Sequence, residues 1–144
     1  MLPLVTFVRK HKLGEIFAVP LDVVLDDHNI VQPVMFFVSK PRSGIIGPKN
    51  IRGIPDLIAE ILSPWSLKKN KIKKKELYEK FGLKEYWMVD FRNHSIEVYS
   101  LIKGRLVLDR LVSENEKRRS VLFPGFEIEV EQIFQVRNNF WNTI

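Results

Sequence analysis

The chain contains no cysteine. That excludes a disulfide framework, a thiolate metal site and a cysteine nucleophile together, and it agrees with a reducing cytosol. Histidine is scarce. His11, His28 and His94 are scattered, have no partner at metal-ligand spacing, and read as surface turn residues. No apolar run is long enough to span a bilayer. The opening stretch, MLPLVTFVRKHKLGE, lacks the long apolar core and small-residue cleavage site of a secretory signal. A cytoplasmic protein without a membrane segment is the expectation. Neither a P-loop nor a GxGxxG pattern is present, which removes the two commonest phosphate-cradling loops.

What remains is enough for one domain over residues 1–144, with a core of ordinary size. Apolar residues make up 45% and charged residues 28%, the balance of a folded globular chain rather than a disordered one. The net charge of +6 mildly favours a polyanionic partner. Its distribution says more. The segment SLKKNKIKKKE holds six lysines and one glutamate. Lys68, Lys69, Lys71, Lys73 and Lys75 can form either a solvated helix face or a surface that contacts nucleic-acid phosphates.

Patterning predicts strands at 2–8, 15–25 and 30–40, joined by turns at KHKLG and DDHN into an antiparallel meander. Asp26–Asp27 reads as turn chemistry, and Pro20 marks an edge or bulge. The Gly- and Pro-rich stretch 41–53 should be a loop, with room for one short helical turn. A buried strand follows at 54–63, then a helix that starts after SPWS and runs to about Phe81, with Gly82 as its C′ residue. Strands are expected at 85–91, 95–101 and 105–112, with Tyr86, Trp87 and Phe91 as core. Residues 113–120 read as a polar loop. A short strand and a last helical turn at 130–136 close the chain. The whole is a mixed sheet with one dominant crossing helix.

Two carboxylates interrupt the buried strand PDLIAEILS. Ionised carboxylates seldom enter a core unless they are paired or bind a metal. Strand alternation puts Asp56, Ile58 and Glu60 on one face and Leu57, Ala59 and Ile61 on the other. In the following helix, Leu67, Leu77, Tyr78 and Phe81 share a stripe, and Lys74 falls in its middle. Lys74 either snorkels from the stripe's edge to water or faces the same pocket as Glu60. In the second case, carboxylates would hold a hard cation such as Mg²⁺, and the ammonium would stabilise charge developing on a phosphodiester.

The segments IVQPVMFFVSK, RGIPDLIAEILSPWS, KKKELYEKFGLKEYWMVDFRNHSIEVY and LFPGFEIEVEQIF resemble the bacterial Uma-two family of putative restriction endonucleases. That family is assigned to the PD-(D/E)XK nuclease superfamily, and the resemblance runs from about residue 13 to about residue 135. It implies an α/β (α+β) restriction-endonuclease-like fold, a central mixed sheet flanked by helices. It implies a DNA endonuclease using Mg²⁺ or Mn²⁺, with Glu60 as metal ligand and Lys74 as catalytic lysine, moved onto the helix after the glutamate's strand. A homodimer would suit cutting both strands of a duplex.

Two departures accompany the resemblance. Where the family reads Gln-Pro-Asp, this chain reads Gln32-Pro33-Val34, and valine cannot bind a cation. Family members also carry a further N-terminal segment with a helix, whereas this chain is expected to begin at about the first sheet strand. Asp56 shares Glu60's face and is a substitute ligand to weigh, although it stands roughly 13 Å away along the strand. The expected reading is an endonuclease impaired at Val34. The alternative is an inactive remnant that binds DNA or serves as a structural or dimerisation module.

Overall fold

The chain begins with a helix, α1 (Leu2–Lys10), not with the expected strand. The β-branched residues of LPLVTFV suggest an extended chain, but burial decides otherwise. Pro3 is tolerated in a first helical turn. Val8 is buried and Phe7 packs beside it, both against the sheet. Arg9 and Lys10 sit in the last turn, where the helix dipole favours cations. The computed structural model describes residues 2–62, 68–90, 92–112, 117–119 and 127–129.

The predicted strand at 15–25 is two strands, β1 (Gly14–Ala18) and β2 (Val23–Val24), separated around a cis Val19–Pro20 bond. The predicted strand at 30–40 is likewise β3 (Ile30–Val31) and β4 (Met35–Ser39), interrupted at Gln32–Pro33. Proline lacks the N–H that a continuous ladder needs, so each apolar run breaks at its proline. The fragments join different sheets, and the simple meander does not form. β1 pairs with β4, while β2 lies between β3 and β5 (Ile51–Arg52) in a small second sheet. A 3-10 turn at Lys40–Ile45 fills part of the predicted loop.

The large sheet continues through β6 (Leu57–Ile61), β7 (Glu85–Asp90), β8 (Ser95–Ile102) and β9 (Arg105–Val112). Its order is β1-β4-β6-β7-β8-β9, and only the β6–β7 pair is parallel. Helix α2 (Lys68–Lys80) makes that crossover, and Gly82 ends it at φ +80°. The polar run predicted as a loop contains β10 (Lys117–Arg119), paired with β11 (Glu127–Glu129). The cap at SPWS, the side chain of Leu67, Phe91 and the helical turn at 130–136 lie outside the described residues.

Apolar clusters cover both faces of the sheet. Val8, Met35, Phe37, Leu57, Ala59 and Trp87 form one, under α1. Phe36, Ile58, Tyr78, Leu83, Tyr86 and Met88 are among those that form the other, under α2. Strand alternation on β4, β6 and β7 assigns each residue its side. Edge strand β9 keeps Val107, Leu108 and Leu111 exposed.

Asp56 stands just before β6, buried. Ser39 donates its backbone N–H to the carboxylate at 2.7 Å, Lys84 donates at 3.3 Å, and Arg42 lies at 3.6 Å. The Asp56 N–H bonds the Phe37 carbonyl, and its own carbonyl accepts from Glu85 N–H. One residue thus ties β4, β6 and β7 together at one end. Burial pushes the Asp56 carboxyl up, but these donors outweigh it and hold the group below its ordinary 3.8. Such a depressed carboxylate adds stability above its unfolded value and loses it as pH falls through the folded one. Asp56→Ala should therefore lower stability by about 1–3 kcal/mol at neutral pH. The deficit should shrink below about pH 4 as the wild-type carboxylate also takes up its proton; denaturant titrations at several pH values measure it.

Candidate functional site

Glu60 lies near the far end of β6, on the α2 face. Strand register places it beside Met88 of β7, and Met88 beside Glu97 of β8. Two carboxylates therefore flank one methionine in a single row across three strands. Helix α2 crosses over this row. Lys74 donates to Glu60, and Lys71, three residues earlier, meets Glu97 at 2.7 Å. Residues three or four apart share a helix face, so Tyr78, four after Lys74, continues the same stripe into the core. Tyr78 is fully buried and anchors the helix.

Both readings of Lys74 are partly realised. Its side chain is 47% exposed, yet its ammonium ends on a carboxylate whose side chain is only 7% exposed. The stem crosses the helix–sheet seam, with one side in water and the other in the pocket. Ile72 is exposed, and Leu77 is half-buried.

The Glu60 carboxylate is almost completely enclosed. Burial raises its pKa above the ordinary 4.5, against the attraction of Lys74 and the Val34 N–H, which donates to it. Tyr78 and Tyr86 belong to the enclosing wall, their rings 5.4 Å apart edge to face. Among the described residues, neither hydroxyl has a hydrogen-bond partner. Burial and the nearby Glu60 charge together hold both hydroxyls in the neutral form far above their ordinary value.

Val34 occupies the position expected of the family aspartate. Antiparallel register pairs Met35 with Ala59, so Val34 comes opposite Glu60 just beyond the ladder. Its N–H points at Glu60, but its side chain packs with the cluster on the α1 face. Asp56 is at the opposite end of β6, with its oxygens already engaged. Of the other lysines, Lys71 and Lys75 are paired, the latter with Glu79 at 3.4 Å and over the Tyr99 ring. Lys73 is exposed, and the side chains of Lys68 and Lys69 lie outside the described residues. His28 and His11 are exposed, as expected of turn residues.

Sequence reasoning missed Glu97. Its only signal is its place on β8, which carries meaning once the register is known. Tyr99 donates its hydroxyl to Glu97 at 2.8 Å, so this carboxylate is held from two sides.

Because Glu60 holds its proton more firmly in the folded than in the unfolded chain, ionising it costs stability. That cost is absent below the ordinary 4.5 and grows as pH rises toward the raised folded value. Glu60→Gln is uncharged at every pH. Its stability relative to wild type should climb as pH increases from 4.5 and level off above the wild-type group's own value. Thermal unfolding in matched buffers from pH 4 to 8 checks this; a flat difference contradicts the raised pKa.

Comparison with known proteins agrees with this architecture. No curated protein matches the chain. A crystal structure from Anabaena variabilis, described as a putative nuclease, superposes with a TM-score of 0.72 at 17% identity. The match covers 92% of this chain and 74% of that one. At this identity the likeness establishes a shared fold. The model of the Uma2 family, described as putative restriction endonuclease, matches residues 2–131. On the extent of that match the chain belongs to the Uma2 family.

Proposed function

We propose that this chain is a nuclease-fold protein directed at DNA phosphodiesters, in which Glu60 and Lys74 are the retained pair of a hydrolytic site and Val34 impairs metal-dependent cleavage. The observation that carries this reading is the disposition of Val34. Its backbone reaches the Glu60 carboxylate, while its side chain is committed to the apolar cluster on the other face of the sheet.

The pair has clear chemical uses. Lys74 brings a half-exposed ammonium to the mouth of a low-dielectric pocket, where it can neutralise charge developing on a phosphate oxygen. Glu60 holds that ammonium in place and fixes the α2 phase. A divalent cation would supply Lewis acidity and an acidified water. The donor set fits such an ion poorly. Among the described residues, no group of three or more His, Asp or Glu side chains is placed to hold a metal. Glu60 is already matched by a lysine, and Mg²⁺ depends on carboxylate charge for its sites. Asp56 stands too far along the strand to share one ion with Glu60.

DNA remains the partner that the charge favours. Lys73 projects outward from α2, and Lys71 and Lys75 can exchange carboxylates for phosphates at a cost set by their present pairs.

Calorimetric titration of Mn²⁺ tests the reading without knowledge of the DNA sequence preferred. Wild-type protein should bind the ion at least about tenfold more weakly than Val34→Asp, since one anionic ligand is worth more than about 1.4 kcal/mol at a hard-cation site. Adding Glu60→Ala to Val34→Asp should abolish the gain. Tight binding by wild type that disappears in Glu60→Ala would show that the site works without the aspartate, and impairment would be excluded.

A further inference from the structure

A second cationic site lies at the other end of the sheet. A cavity of about 340 Å³ opens where the end of α1, the start of β1, the end of β4 and the 3-10 turn meet. Arg9, Lys12 and Lys40 line it, with Glu15, Ser43 and Gly14. Among the described residues none of the three cations makes an ion pair, whereas Arg42, two residues after Lys40, and Lys84 are both spent on Asp56. The lining therefore carries three positive charges against one negative.

The backbone holds these groups in place. Lys40 N–H donates to the Leu13 carbonyl at 2.9 Å, and Leu13 N–H to the Val8 carbonyl at 3.1 Å. Lys12 sits at φ +54°, a left-handed conformation that non-glycine residues seldom adopt, and its N–H bonds Arg9. A Cβ at Gly14 would meet the Val38 carbonyl oxygen at 2.1 Å, so no side chain can rise from that part of the floor. Arg9, in the last turn of α1, has a local use, since cations at a helix C-terminus complement its dipole, and Lys12 lies just beyond that end. Lys40 has no such use, because it arrives from β4. Three like charges brought together from two elements repel one another, and an anion removes that cost.

We propose that this cavity is a phosphate-binding subsite for the nucleic-acid backbone, separate from the Glu60–Lys74 pair. This rests on the reading of the chain as a protein that acts on DNA. The cations take phosphate oxygens, Ser43 donates its hydroxyl, and Glu15 accepts from a base amino group. Both sites flank β4, Lys40 just after its last residue and Glu60 opposite Val34 just before its first. Five residue steps from Val34 to Ser39 span roughly 17 Å, or about five base-pair steps of duplex at 3.4 Å each. The subsite holds the backbone a short way from the bond that the first site faces.

The test is fluorescence anisotropy of a labelled 20-base-pair duplex in EDTA, read as the dependence of affinity on salt. Each phosphate contact contributes a slope of about −0.9 in log–log form. The Arg9→Gln/Lys12→Gln/Lys40→Gln variant should lose two to three such contacts, roughly a slope change of 2–3. Three equivalent changes elsewhere, Lys103→Gln, Arg105→Gln and Arg110→Gln around β9 at the opposite edge of the sheet, should change it far less. Equal losses in both triple variants would reduce the effect to net charge and overturn the subsite, while leaving DNA binding itself intact. Binding unaffected by the first variant would overturn it in the same way. Wild type that binds no duplex at low salt would remove both the subsite and the DNA reading. Competition by mononucleotides at the concentration of duplex phosphate would show a pocket for free nucleotides instead.

Discussion

A parallel pair of strands cannot be closed by a tight turn, and the β6–β7 pair sets the layout of this molecule. The chain must leave the far end of β6, cross the sheet and return, and α2 is what crosses. The helix has to pass over the row formed by Glu60, Met88 and Glu97. A carboxylate at the end of β6 is thereby placed under the first turns of the helix, where Lys71 and Lys74 are found. The β6–Lys74 contact is a product of topology before it is a product of chemistry. Antiparallel pairing of β4 with β6 then brings the Gln32-Pro33-Val34 segment to the same end.

Two buried acids, Asp56 just before β6 and Glu60 within it, meet opposite electrostatic fates. Desolvation favours the neutral form at both, and more strongly at Glu60, the more deeply enclosed of the two. Asp56 has a backbone N–H and two cations within reach and is held ionised with ease. Glu60 has one lysine and one N–H, and burial prevails over them. The difference lies in both terms: Glu60 is the more deeply enclosed, and it has fewer donors. A carboxylate satisfied from several elements is a structural knot. One that is barely satisfied is chemically available, because a cation or proton can still improve its state.

Much of this was legible in the sequence. The alternation of PDLIAEILS gave the two faces of β6 correctly, and helix phase singled out Lys74 before any contact was known. The crossing helix, its Gly82 terminus and the strands from β6 to β9 follow from apolar runs bounded by turn residues. In the first forty residues β1, β4 and the turn at Asp26 follow the expectation, and the departures come where local preference competes with tertiary burial. Val5, Thr6 and Val8 favour extended chain in isolation, yet Val8 is worth more under the sheet on a helix. Pro20 does more than mark an edge, and Pro33 acts in the same way: each divides a single apolar run between two sheets. Glu97 could not be singled out, because an acid on a half-exposed strand looks like any solvent-facing residue until the neighbouring strands are in register. The cavity beside Gly14 is of the same kind, assembled from residues as distant as Arg9 and Ser43.

The two lysine–carboxylate contacts of α2 also act as a vernier. Lys71 and Lys74 differ by about 300° of helical rotation and 4.5 Å of rise, and their targets lie on strands either side of β7. A helix that slid by one residue would turn by about 100° and lose both partners together. The two contacts and the buried Tyr78 therefore specify one rotational setting of α2, the one that brings the Lys74 ammonium to the pocket mouth.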